Sequence, residues 1–200
     1  MPASPPVNFF GLGRLLQWKG YHLAIRAFSL FFRQHPDSKF FLVGWGPEEG
    51  NLKALARSLG LDSAVIFCGN MPRAEALQTM AQTHVLLHPT HHDSGGWAIK
   101  EAMAAGRPAI CLNWAGSAMM VGSNGMHDHD TGIINTGCAY AIEVGTDDEV
   151  VNRMTTAMSN VVSQIPLMGK AARDRVQECF VSERIVEAYS KLYREIVLTV

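Results

Sequence analysis

Apolar and polar positions alternate along this chain in blocks. Five short apolar runs, "VNFFGLG" (7–13), "KFFLVG" (39–44), "AVIFCG" (64–69), "HVLLHPT" (84–90) and "RPAICLN" (107–113), are bounded by glycine, proline or polar residues. Such runs fit strands buried on both faces. Between them lie segments of helical spacing. "GYHLAIRAFSLFFRQHP" (20–36) is stopped by Pro36, "PEEGNLKALARSLG" (47–60) by its last glycine, and "GWAIKEAMAAG" (96–106) by Gly106, while "RAEALQTMAQ" (73–82) forms a shorter helix. Strands alternating with helices predict βαβ units: an α/β, Rossmann-like, doubly wound parallel sheet with helices on both faces.

After Asn113 the pattern loosens. "WAGSAMMVGSNGMHDHDTG" (114–132) predicts irregular structure, "AYAIEV" (139–144) one more strand, and "DDEVVNRMTTAMSNVVSQI" (147–165) and "MGKAARDRVQECF" (168–180) helices. In "SERIVEAYSKLYREIVL" (182–198), Ile185, Tyr189, Leu192 and Ile196 share one helix face. Residues 1–6 read as a flexible, proline-rich lead-in, 7–180 as one domain and 181–200 as a separate terminal helix.

A net charge of −1 over 200 residues gives no bulk attraction to nucleic acid or an anionic membrane. Hydrophobic residues make up 48%, ample for a packed core. The four cysteines, Cys68, Cys111, Cys138 and Cys179, lack C-x-x-C spacing and suit free thiols. No signal-peptide pattern or bilayer-spanning run is present, so a soluble, cytoplasmic protein is expected. Two glycine-rich stretches invite a dinucleotide reading and fail it. Leu16 in "GLGRLL" and Glu49 in "GWGPEE" stand where the third glycine belongs.

The stretch "HDSGGWAIKEAMAAGRP" (92–108) concentrates the chemistry. A strand there runs through glycines into a helix, the junction where open parallel sheets bind ligands. Gly95 and Gly96 let a ligand approach unpaired helix N–H groups. Glu101 lies one turn beyond Trp97, and helical side chains lean toward the N-terminus, so its carboxylate can face the loop and accept from paired hydroxyls. The plainer reading is that Asp93 or Ser94 caps the helix. A metal site is a further competitor, since His84, His88, His91, His92 and Asp93 are crowded and "HDHD" (127–130) adds four potential ligands. His84 and His88 share one strand face and "HDHD" suits a polar loop, so no metal and no cofactor is expected.

Asp93 and Glu101, with seven residues between them and "AMAAGRP" following, resemble the acidic motif of retaining GT-B glycosyltransferases of the group 1 (family 4) type. "GRLLQWKG", "FFLVGWGPEEGNLKALARSLGL", "VIFCGNMPRAEA", "PLMGKAARDRVQECF" and "AYSKLYREI" are similar to that family's other blocks, in order, over nearly the whole chain. The resemblance implies a donor-binding domain for a nucleoside-diphosphate sugar, UDP-, GDP- or ADP-linked. Arg14 and Lys19 would lie against the diphosphate and, with Asp93, carry the catalytic roles. Glu101 would bind the ribose and Asp93 the donor sugar's hydroxyls. Gly13, Ser94, Gly95, Gly96 and Trp97 would border the donor, and the base would pack near Gly69, Asn70 and Met71.

This chain departs from the family's pattern. Asp93 replaces the usual Glu, Gly95 and Gly96 are adjacent, and "AGSAMM" keeps one glycine where the family usually has a pair followed by an acid. The resemblance also implies a second, N-terminal acceptor domain or partner chain against which the 181–200 helix would pack, and through which any peripheral membrane association would run. Three readings stay open: transferase donor domain, non-catalytic nucleotide-sugar module or partner-dependent subunit, and a GT-B-like epimerase.

Overall fold

The computed structural model describes residues 6–92, 95–183 and 186. Seven strands form one sheet: β1 (Phe9–Leu12), β2 (Phe40–Val43), β3 (Val65–Gly69), β4 (Val85–His88), β5 (Ala109–Leu112), β6 (Ile133–Asn135) and β7 (Ala139–Ile142). Their order is β3-β2-β1-β4-β5-β7-β6, and every pairing is parallel except that of β6 with β7. The five apolar runs are the five strands β1 to β5, and β4 and β5 are buried at every position. Continuous burial explains why those runs lack period-two alternation.

Seven helices cover the sheet: α1 (Tyr21–Phe32), α2 (Glu49–Ser58), α3 (Arg73–Ala81), α4 (Trp97–Ala104), α5 (Ala115–Val121), α6 (Asp147–Val161) and α7 (Ile165–Cys179). Leu23, Phe28 and Phe31 of α1, Leu52 of α2 and Met154 and Met158 of α6 pack with Phe9 and Phe40 on one face. There Phe9 meets Phe31 edge to face, with ring centroids 5.1 Å apart. Ala76 and Met80 of α3, Ile99 and Met103 of α4, Val121 of α5 and Ala172 of α7 pack with Phe10 and Leu86 on the other. Helix α6 starts in a capping box, with Glu149 N donating to Thr146 Oγ1 and Thr146 N to Glu149 Oε2. Among the described residues no helix is long and apolar enough to cross a membrane.

The chain steps outward from β1 to β3, returns to the centre for β4, and then steps to β5 and β7. The loops leaving β1 and β4 therefore turn to opposite faces, which opens a crevice beyond their carboxyl ends. Two elements depart from expectation: the 114–132 segment contains helix α5, and short antiparallel β6 closes the sheet edge. Helix α5 opens on Ala115 at φ 47°, the one non-glycine residue of positive φ among those described. A left-handed alanine is strained by its Cβ, so the chain adopts the turn a glycine would make there at an energetic cost. The terminal helix expected over 181–200 lies almost wholly outside the described residues.

Candidate functional site: a cleft at the carboxyl ends of three neighbouring strands

A cleft of about 310 Å³ opens beyond the carboxyl ends of β1, β2 and β3. Leu12, Gly13 and Arg14 contribute one wall, Val43, Gly44 and Trp45 a second, and Asn70, Met71, Arg73, Ala76 and Leu77 a third, with Glu101 of α4 at its edge. Backbone contact fixes the first two walls together. Gly13 N donates to Val43 O at 3.0 Å and Leu15 N to Trp45 O at 2.9 Å. A Cβ on Gly44 would stand 1.8 Å from Gly13 O, and one on Gly46 would stand 2.3 Å from Leu15 O. Only glycine permits that approach. The second glycine stretch thus clasps the first, which is the physical use of glycines that fail the dinucleotide pattern.

Glu101 is largely shielded by its surroundings, and both Nε and Nη2 of Arg73 donate to its Oε1, at 3.1 and 2.7 Å. A carboxylate held this way is fixed in orientation, and carboxylate oxygens accept hydrogen bonds from hydroxyl groups. Arg14 is exposed, with its guanidinium 5.7 Å from the centre of the Trp45 ring. The cleft therefore combines an apolar floor, two guanidinium groups and one carboxylate, a lining that fits a ligand with flat, hydroxylated and anionic parts.

The loop leaving β4 is tied to the loop leaving β1. His91 N donates to Trp18 O at 2.8 Å and Thr90 Oγ1 to the same carbonyl at 3.3 Å, and a Cβ on Gly20 would lie 2.0 Å from Pro89 O. This holds the 3₁₀ turn Gln17–Lys19 against the exit of β4. Gly96 precedes α4 at φ 53°, and a Cβ there would meet Met120 at 2.4 Å. Trp97 is 71% exposed, with Lys100 Nζ 3.8 Å from its ring centre. In α1, burial lowers the pKa of His22, with His91 and Arg26 adding to the effect against the opposing pull of Asp147.

Of the expected donor residues, Gly13, Arg14, Asn70, Met71 and Glu101 line the cleft. Gly69 ends β3 at φ 68° behind Asn70, while Lys19, Gly95, Gly96 and Trp97 lie at the β1 and β4 exits outside the cleft lining. Asp93 and Ser94 fall outside the described residues. Sequence reasoning missed Arg73 and Trp45. Arg73 opens α3 after Pro72, and an arginine at a helix start beyond a strand was a signal available in "NMPRAEA". Trp45 stood between two glycines that were weighed only against the dinucleotide pattern.

The histidine clusters have structural partners. His84 Nδ1 accepts from Asn8 N at 2.9 Å, and burial, with the nearby Arg107 charge, lowers its pKa. In the "HDHD" loop, His127 Nδ1 lies 3.0 Å from Glu143, and Asp128 accepts from Asp130 N, Thr131 N and Thr131 Oγ1. Among the described residues no three His, Cys, Asp or Glu side chains are grouped to hold a metal ion.

The profile of the family described as "Glycosyl transferases group 1" matches residues 4–175. The chain belongs to that family. N-acetyl-alpha-D-glucosaminyl L-malate synthase of Bacillus anthracis is 30% identical over 161 residues, 80% of this chain and 38% of that protein. The 2-deoxystreptamine glucosyltransferase of Streptomyces kanamyceticus is 31% identical over 120 residues, 60% of this chain and 30% of that protein. The chain therefore spans about a third of the length of these curated relatives. The pneumococcal O-GlcNAc transferase GtfA, solved with UDP and GlcNAc, superposes with a TM-score of 0.76 at 17% identity, covering 96% of this chain and 36% of that one. The C-terminal domain of a Francisella tularensis group 1 family protein superposes at 0.69 and 18% identity over 88% of this chain and 87% of that one. These likenesses establish the fold: a Rossmann-like α/β domain of the GT-B type.

Proposed function

We propose that this chain is the donor-binding domain of a retaining glycosyltransferase, holding a nucleoside-diphosphate sugar for transfer of its hexosyl group to an acceptor glycan, lipid or small molecule. One observation carries the reading: Glu101 of α4, oriented by Arg73, and Arg14 line the same cleft beyond the carboxyl ends of β1, β2 and β3. A carboxylate and a guanidinium in one cleft match two parts of a nucleoside-diphosphate sugar, the vicinal diol of its ribose and its doubly charged diphosphate. Arg14 and Lys19 neutralise the leaving diphosphate, while Asp93 and the backbone at Gly95 and Gly96 hold the sugar. The acceptor site and the remaining catalytic groups belong to a companion domain that closes over this face. UDP is the first nucleotide to test, because neighbours of this fold have been solved with it.

The test is thermal unfolding of the chain with UDP, GDP, ADP and their hexose conjugates, in EDTA. A bound nucleotide at about 100 times its Kd raises stability by roughly 2.7 kcal/mol. Stabilisation by one nucleotide series supports the reading, and a chain indifferent to all of them contradicts it. Incubating the stabilising sugar conjugate with an acceptor mixture and following nucleoside diphosphate release separates a transferase from a non-catalytic module.

A further inference from the structure

All four tryptophans of the chain, Trp18, Trp45, Trp97 and Trp114, are about half exposed or more. Trp45 differs from the rest because it alone lines the cleft. It is the second residue after β2, flanked by the two glycines whose backbones press on Gly13 O and Leu15 O. Its carbonyl is held by Leu15 N at 2.9 Å. The indole is thus mounted on a loop that has no room to shift, yet 55% of the residue is left in water. A large apolar surface kept exposed at a fixed place in a ligand cleft is suited to a flat partner. Across the cleft lie Met71, Ala76 and Leu77, which offer an apolar counter-surface.

Resting on the donor-domain reading, we propose that Trp45 is the wall against which the donor's nucleobase stacks. The base enters between the indole and the Met71 side, and the ribose then faces Glu101. A diphosphate or a hexose gains little from an indole face, whereas every nucleobase has a π-face, and a rigid platform loses little entropy on binding. Guanidinium–indole proximity offers a rival role, in which Trp45 serves only to position Arg14.

A double-mutant cycle distinguishes the two. The Kd of UDP, GDP and ADP is measured by calorimetry for wild type, Trp45→Ala, Trp45→Phe, Arg14→Ala and the Trp45→Ala/Arg14→Ala pair, with thermal unfolding confirming that each folds. Loss of a base-stacking aromatic raises the Kd of the bound nucleotide roughly 5- to 150-fold. Trp45→Phe restores most of the affinity, and the Trp45→Ala effect persists undiminished in the Arg14→Ala background. An effect that vanishes in that background assigns Trp45 to positioning Arg14 and overturns the stacking role. Unchanged affinity in Trp45→Ala overturns it directly. If wild type binds none of the three nucleotides, the donor-domain reading fails and takes this inference with it, a result distinct from wild-type binding that ignores Trp45.

Discussion

The cleft beyond β1, β2 and β3 and the loop from Met126 to Thr131 are both rich in polar groups, and they use them in opposite ways. In the loop, three donors converge on Asp128, His127 meets Glu143, and Asn113 reaches both Met126 O and Glu143. Its backbone hydrogen bonds keep the Asp128 carboxyl below the usual range. A hollow beside it has His127 and Asp128 in its lining. In the cleft, the polar side chains that meet are one ion pair on one carboxylate oxygen, and Arg14 and Asn70 stand apart from it among glycine backbone and apolar side chains. Density of titratable residues does not make a site. What distinguishes the cleft is that glycines rigidify its walls while an exposed Arg14 and an oriented carboxylate share its lining.

That contrast can be broken most violently at Gly44. A Cβ there would stand 1.8 Å from Gly13 O, backbone against backbone. Gly44→Val is expected to cost several kcal/mol, on the order of the largest single-residue effects, visible as a large drop in Tm and loss of nucleotide-induced stabilisation. A variant with wild-type Tm would show that the clasp between the two loops does not exist.

A smaller effect of opposite sign is expected at Ala115. Its φ of 47° is the left-handed conformation that costs an alanine about 1–2 kcal/mol. Ala115→Gly relieves this strain and raises stability by about 1 kcal/mol in urea unfolding, once the flexibility glycine adds to the unfolded chain is set against it. An unchanged or lower midpoint contradicts the strain.

His84 sharpens the comparison by pH. Its folded pKa lies below the unfolded value, so the unfolded chain takes up the proton first as pH falls. The residue therefore leaves stability untouched well above the unfolded value of about 6.5 and lowers it as pH drops through that value. His84→Gln, which keeps an acceptor for Asn8 N, should flatten the fall in Tm between pH 7.5 and about pH 5.5. An unaltered pH profile would place the acid sensitivity elsewhere. The smallest effect belongs to the polar loop: His127→Ala should leave nucleotide affinity within error. A clear loss would make that loop part of the site.

The sheet was legible because strands buried on both faces must be continuous apolar runs, and "FFLV" and "VLLH" can hardly be anything else. Helix α5 was illegible because "AGSAMMV" is short, glycine-bearing and entered through a strained alanine, and β6 because three residues carry no period. In the cleft lining, Glu101 was legible through its place at a helix start, and Arg14 through the family resemblance of "GRLLQWKG". The pairing of Arg73 with Glu101 joins residues of different helices, and no local pattern encodes such a contact. Trp45 was hidden for a different reason, because its neighbours drew attention as a failed motif rather than as a loop clamp.

The central claim is that the Glu101 cleft binds the nucleotide of a sugar donor. Its most direct test is calorimetric titration of UDP into wild type and Glu101→Ala, with GDP and ADP in parallel and EDTA present. The account predicts binding of one nucleotide by wild type and a loss of roughly 1–3 kcal/mol in Glu101→Ala, the usual penalty for removing a charged hydrogen-bonding group. Wild-type affinity that survives Glu101→Ala unchanged would move the ribose out of this cleft and contradict the account.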